Sequence, residues 1–335
     1  MTRRVTSGRT DPKLQATPPR RGARSRASSR TKDPDHPVDV VIDLDRVRAN
    51  ALAIGRQTDR PVIAVVKSDA YGFGARAIGD ALAGVVAEFA YFGLSEAQVL
   101  RRAGLVLGPL SGSTDAHAAL SVRPAIGSVA EARAVGSLPA ALNVDTGMQR
   151  FGCAPDQIQP ILRTCRVAEA FTHTITVSGA RRLQRLCAGK VPRLHAAGTA
   201  LLARPGAWLD AVRPGLALYL GAMTVTTRLA AVRDLAGPAG YRRLRARRAG
   251  VIVCGYSEGF APGVVLVNGR RRRVLEVGMN TSFVQAGRND KPGDPVTLLG
   301  GGLTEPVVAK AVGYSQHEVL CRYARLGPRR YIGPR

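Results

Sequence analysis

Polar alternation disappears at Val62-Ile63-Ala64-Val65-Val66, and the run ends on Lys67. An apolar run without alternation reads as a strand buried on both faces, as in a parallel sheet. Upstream, Val38 to Ile42 reads as a first strand. Asp43 is placed to cap a helix from Leu44 to about Arg56. Downstream the pattern predicts an Ala-rich helix from Ala75 to Val86, a strand from Phe89 to Gly93, and a helix opened by Ser95 and Glu96 that runs through Arg102. Short strands follow near Leu105, Ala125 and Leu142 and at Ala168–Thr172, with helical segments between. This alternation predicts an α/β fold in which βαβ units close into a barrel up to about Tyr219.

The period changes near residue 224. Val251–Val253, Val264–Val267, Val274–Val277 and Val296–Leu299 are strand-like, and Asn268-Gly269 between two such runs is a strong hairpin signal. The expected organisation is a basic tail over 1–37, a barrel domain over 38–223, and a mostly β domain over 224–335.

Composition narrows the function classes. A hydrophobic content of 45% fits a globular protein, and no stretch approaches the roughly 20 apolar residues of a membrane helix. The first arginines lead into no apolar segment, so no signal peptide is read and a cytoplasmic location is expected. Cys153, Cys165, Cys187, Cys254 and Cys321 form no C-x-x-C pair, which points to reduced thiols and no zinc site. The net charge is +25; the tail carries ten basic and three acidic residues, leaving +18 elsewhere. The tail is rich in Arg, Ser, Thr and Pro without an apolar face, so it is expected to be disordered and without a role of its own. Aromatics make up only 5%, few for a single-strand stacking platform, so nucleic acid is not the expected partner.

Lys67 is the first chemical candidate. A lysine at the C-terminal lip of a barrel strand sits where such folds keep their chemistry. Desolvation there lowers its pKa and suits Schiff-base formation. On this stretch alone, a strand-ending lysine that reaches water is an equal reading.

Separated segments then resemble one family. Ala64 to Gly74 resembles the pyridoxal-phosphate lysine motif of bacterial alanine racemases. Leu142 to Gly152 (LNVDTGMQRFG) resembles their "DTGM-x-R-x-G" segment, and Val212 to Tyr219 their "R-x-G-x-x-x-Y". Cys254 to Gly259 resembles "GYADG", Val264 to Gly269 "VLVNG", and Gly278-Met279-Asn280 "CMD". The joint order of these motifs spans about residues 38–331.

The resemblance implies a (β/α)8 TIM-type barrel, a C-terminal β domain, and a homodimer with shared active sites. Lys67 is implied to carry pyridoxal 5'-phosphate covalently and to exchange a proton at the substrate Cα. Tyr256, from the partner subunit, is implied as the acid/base group on the opposite face, because racemisation needs one group on each face. Arg213 is implied to face the pyridine nitrogen, and His173 and His195 to belong to the surrounding network. Tyr71, Thr199, Gly215, Leu216 and His317 are implied to bind the phosphate. Arg150 is implied near the phenolic oxygen and the substrate carboxylate, with the Met279 backbone amide beside it.

Departures from the family pattern bear on specificity. His317 stands where the family has a phosphate-contacting tyrosine, Asn280 where it has aspartate, Phe73 where it has histidine, and Asn143 where many relatives have lysine. Glu276 replaces an arginine near the substrate corridor, where a reversed charge alters steering. Three readings follow: an alanine racemase supplying D-alanine to the cell wall, or a racemase of another or broader amino-acid range; a pyridoxal-phosphate-binding homologue with weakened catalysis; and nucleic-acid binding through the tail and arginine surface.

Overall fold

The computed structural model describes residues 36–334. The tail reading therefore lies, up to residue 35, outside the described residues. Two parallel ladders make up the first part of the chain. Ile63–Val65, Glu88–Tyr91, Gly104–Val106 and Val122–Arg123 pair in that order. Ala125–Ile126, Ala140–Asn143, Val167–Phe171, Leu194–Ala197 and Ala211–Val212 form the other.

Pro124 separates the ladders within one extended segment. It has no N–H to give to a ladder, but its carbonyl accepts from Ala141 N at 2.9 Å. At the other end a parallel bridge joins Val62 to Val212. Val212 N donates to Pro61 O, and Val65 N to Pro214 O, both at 3.0 Å. Val62 to Val66 are all buried, as the missing alternation predicted.

The helix that follows is shorter than the sequence suggested. It runs Ala75–Leu82, because Gly84 turns the chain at φ 72° and Val85 and Val86 both return their amides to Leu82 O. The strands at Val122–Arg123, Leu194–Ala197 and Ala211–Val212 were not predicted; all are very short.

The second part is antiparallel. Met223–Asp234 is its spine and pairs with both Pro295–Leu299 and Arg248–Ile252. From Arg248–Ile252 the order runs through Ser282–Gln285, Arg270–Val277, Val264–Val267 and Pro295–Leu299 back to the spine, closing a β-barrel. Asn268 (φ 50°) and Gly269 (φ 73°) turn the predicted hairpin with two positive φ values, the requirement of a type I′ turn.

The first strand corrects the sequence reading. Asp39–Asp43 does not open the parallel alternation; it pairs antiparallel with Met223–Asp234 and parallel with Arg329–Ile332. Its physical reason is visible in the pattern: Val40 and Ile42 are buried while Asp39, Val41 and Asp43 are half-buried. Such period-two alternation marks a strand with one face outward. Asp43 caps Leu44–Thr58 as expected, accepting from Arg46 N at 2.9 Å. All five cysteines are free thiols. Among the described residues no helix is long and apolar enough to cross a membrane.

Candidate active site

Lys67 sits two residues beyond the strand Ile63–Val65, and the backbone after it is unusual. Ser68, Asp69, Ala70 and Tyr71 hold φ between 53° and 57°. A left-handed conformation costs a non-glycine residue about 1–2 kcal/mol, so these residues need outside support. Glu96 supplies some: its carboxylate accepts from Ser68 N and from Phe92 N, each at 2.7 Å. Asp69 accepts from Ala75 N at 2.7 Å and from Arg329 Nη1 at 2.5 Å. Tyr331 Oη donates to Phe73 O at 3.0 Å. The turn leaves Lys67 half-buried and buries Tyr71.

The Lys67 amine is electrostatically depressed. Partial burial lowers its pKa, and the Arg150 charge lowers it further, against Glu96. His173 faces the same cations: partial burial, Arg213, Arg150 and Lys67 bring it down to about 4. Arg150 and His173 line an open recess with Asp145, Met148 and Thr172. Arg150 also lies over the Phe151 ring, 5.1 Å from its centroid.

Arg213 is buried and held from two sides. Nη1 donates to His195 Nδ1, and Nη2 to Thr172 O at 2.9 Å. Its guanidinium stacks over Phe171, 5.0 Å from the centroid. Burial lowers its pKa to about 10, so it remains a cation at neutral pH. His195 is fully buried, and its Nε2 is 3.1 Å from Glu169 Oε2. Both its nitrogens are engaged, Nε2 by Glu169 and Nδ1 by Arg213.

A cluster of donors lies at the start of Leu216–Tyr219. Thr199 Oγ1 accepts from Gly215 N at 3.3 Å and Ala217 N at 3.1 Å, leaving its own proton to give. A Cβ on residue 215 would meet Tyr71 Oη at 2.1 Å, so only glycine lets the phenol approach the backbone here. The His317 ring lies 5.8 Å from the Tyr71 ring. Glu318, beside it, is committed to a capping box with Ser315.

Sequence reasoning missed four residues. Tyr219 Oη donates to Val65 O at 2.8 Å and its ring packs 4.8 Å from Tyr71. Glu169, Glu96 and Arg329 complete the set. Two carried a signal: Tyr219 as the tyrosine that ends the Val212–Tyr219 motif, and Glu169 as a charge inside the apolar strand Val167–Phe171.

Tyr256 and Met279 form a separate group. Tyr256 N donates to Gly278 O at 2.9 Å and Ser257 N to Met279 O at 3.0 Å, and Tyr256 and Met279 are each 58% exposed. Among the described residues no hydrogen bond, ion pair or ring contact links them to Lys67. Asn280 belongs here too: its Nδ2 donates to Ser257 Oγ at 2.9 Å and to Glu258 Oε1 at 3.3 Å. An aspartate at 280 would set two carboxylates against each other.

Glu276 overturns the steering expectation. It is buried, and its carboxylate accepts from Tyr241 N at 3.0 Å and Arg242 N at 2.8 Å. It pins the loop at Tyr241 and Arg242 through their backbone amides.

Comparison with known proteins accounts for this arrangement. Residues 42–223 match the alanine racemase N-terminal domain and residues 222–331 the alanine racemase C-terminal domain. The alanine racemase of Chromohalobacter salexigens is 33% identical, over 88% of this chain and 98% of that protein. That of Halorhodospira halophila is 30% identical, over 84% and 94%. The crystal structure of the biosynthetic alanine racemase from Pseudomonas aeruginosa superposes with a TM-score of 0.82 at 27% identity, covering 89% of this chain and all (100%) of that one. The Bartonella henselae alanine racemase with covalently bound pyridoxal phosphate shares the fold, with a TM-score of 0.80 at 22% identity over 88% and 99% of the two chains. Two domain matches that together span nearly all described residues, with relatives matched almost end to end, place this chain in the alanine racemase family.

Proposed function

We propose that this protein interconverts L- and D-alanine, holds pyridoxal 5'-phosphate on Lys67, and works as a homodimer. We read its two parallel ladders as one closed (β/α)8 barrel, with the site at the carboxyl ends of the strands. The observation that carries the proposal is a lysine of lowered pKa held on a strained turn beside Arg150, Arg213 and His173.

The residues present suit the cofactor. Gly215 lets the Tyr71 phenol lie against the backbone at the start of Leu216–Tyr219 only because it lacks a Cβ. Thr199, Tyr71, Gly215, Leu216 and His317 supply hydroxyl, amide and imidazole groups for a phosphate. Arg213 presents a permanent cation to a ring nitrogen and has no proton to pass on at neutral pH. When bound, pyridoxal phosphate supplies the electron sink that acidifies the amino-acid Cα–H.

The protein's own groups then do the rest. The Lys67 amine, depressed by burial and by Arg150, is available as a base at lower pH than a free lysine. Tyr256 of the second subunit serves the other face of Cα. Arg150 and the Met279 amide of the second subunit hold the carboxylate. The exposure of Tyr256 and Met279 in the single chain supports this shared arrangement.

A chiral assay of the purified protein with L-alanine, L-serine, L-lysine and L-arginine tests the reading. Alanine should be converted fastest. Faster conversion of any of the others sinks the assignment to alanine and makes His317 beside Tyr71 the first residue to exchange.

A further inference from the structure

A charge network of Glu169, Glu88, Arg123 and Arg193 lies behind His195 and Arg213. Glu169 is 1% exposed. Its Oε1 accepts from Arg123 Nε at 2.6 Å; its Oε2 lies 3.1 Å from His195 Nε2 and 3.7 Å from Arg193 Nη1. Glu88 pairs with Arg123 through Nη2 and with Arg193 through the same Nη1 that faces Glu169. Burial alone would raise the Glu169 carboxyl, but the His195 hydrogen bond and Arg123 hold it at about 2. It is therefore a carboxylate, able only to accept.

That leaves His195 one permitted form. Nε2 must carry the proton, because its partner is a carboxylate. Nδ1 must be bare, because its partner is a guanidinium, which can only donate. The two ends of the ring demand the same tautomer independently. A second proton on Nδ1 would set N–H against N–H at Arg213.

We propose that Glu169 is a positioning residue that acts through His195 on Arg213. It fixes the imidazole tautomer, and the bare Nδ1 with Thr172 O then presents the guanidinium to the site in one orientation. Arg123, from the strand Val122–Arg123, and Arg193, just ahead of Leu194–Ala197, hold the carboxylate, and Glu88 balances them. The proposal rests on the reading that Arg213 faces the cofactor ring.

Glu169→Gln keeps the shape and breaks the logic. With its oxygen toward His195, the amide N–H₂ opposes Arg123; flipped, it donates to Nε2 and forces the proton onto Nδ1. The measurement is ¹⁵N NMR of the histidine side chains in the full-length protein, with and without pyridoxal phosphate, His195 being assigned by its loss in His195→Gln. The wild type should show a neutral ring protonated at Nε2, and Glu169→Gln should lose that single state. In the loaded variant kcat should fall by on the order of tenfold, as for other outer-shell partners, with KM for alanine little changed and the absorption band of the cofactor altered.

A wild-type ring protonated at Nδ1 overturns the proposal even if the variant does not fold. So does a Glu169→Gln protein with wild-type tautomer, kcat and spectrum. Arg213→Gln separates the underlying reading. If it leaves pyridoxal-phosphate affinity and absorption unchanged, Arg213 does not face the ring, whatever the His195 tautomer proves to be.

Discussion

Arg329 Nη1 lies 2.5 Å from Asp69 Oδ2 and 2.5 Å from the Gly72 carbonyl oxygen. One cation from the last strand thus holds the left-handed turn that follows Lys67 at two points, Asp69 within it and Gly72 at its end. The turn costs backbone energy in each of its residues, and the energy is recovered through contacts made 260 residues away in sequence.

Arg329→Ala should therefore damage the site more than its surface position suggests. Asp69 and Arg329 are partly exposed, at 49% and 32% of their side chains, so the lost ion pair is discounted for screening to about 1 kcal/mol or less. The expected result is a lower Tm together with poorer capture of pyridoxal phosphate by Lys67, read by borohydride reduction and mass spectrometry. A variant that melts early but captures the cofactor normally would show that the clamp serves stability alone.

Arg150 is exposed, yet its charge depresses the Lys67 amine. Arg150→Gln should shift the pH profile of pyridoxal-phosphate capture upward, because the amine regains part of its ordinary basicity. Burial is the larger cause and stays, so the profile should stop short of that of free lysine. Lys67→Ala should capture nothing at any pH. An unshifted Arg150→Gln profile would remove Arg150 from the electrostatics of the site.

Tyr256 offers a direct test of a shared site. Tyr256→Phe should retain the cofactor band and lose racemisation, and Lys67→Ala should lose both. Mixed and refolded together, the two inactive chains form hybrids in which one site has Lys67 from one chain and Tyr256 from the other. Random pairing restores about a quarter of wild-type activity if both residues serve one site across a two-fold interface. No recovery on mixing, with hybrids demonstrated by mass, would place the second acid/base group elsewhere.

How far the sequence reaches differs between residues. Lys67, Arg150, Arg213 and Tyr256 stand in local motifs, and each motif survives in a linear reading. The buried run Val62–Val66 and the Asn268-Gly269 turn are likewise local physics. Asp39–Asp43 was misplaced because order along the chain suggested the parallel part, although its alternation already marked a half-exposed strand. Glu276 was misread because its partners are backbone amides at Tyr241 and Arg242, which no side-chain pattern reveals. Arg329 could not be found at all: its meaning lies in a contact with Asp69 that only the closed fold creates. Glu169 fell between these cases, visible as a charge in an apolar strand but without a partner until Leu194–Ala197 was recognised as the neighbouring strand.

His195 makes folding itself sensitive to acid. Burial and Arg213 hold its folded pKa at about 4 despite Glu169, against 6.5 for a free histidine. Between those values the unfolded chain binds a proton that the folded chain refuses, so stability falls as pH drops from 6.5 toward 4. One such proton contributes a slope of at most about 1.4 kcal/mol per pH unit. Glu169 acts in the same direction in a lower window, from 4.5 down to about 2, where protonation of the unfolded carboxyl is favoured first. His173 adds to the upper window, its folded value also being about 4. Urea unfolding at intervals from pH 7.5 to 4.5 should show the decline, and His195→Gln should flatten the part due to the buried ring while leaving the His173 part. If His195→Gln keeps the full wild-type slope, the ring is not held neutral in the fold, and the electrostatic account of Arg213 must change with it.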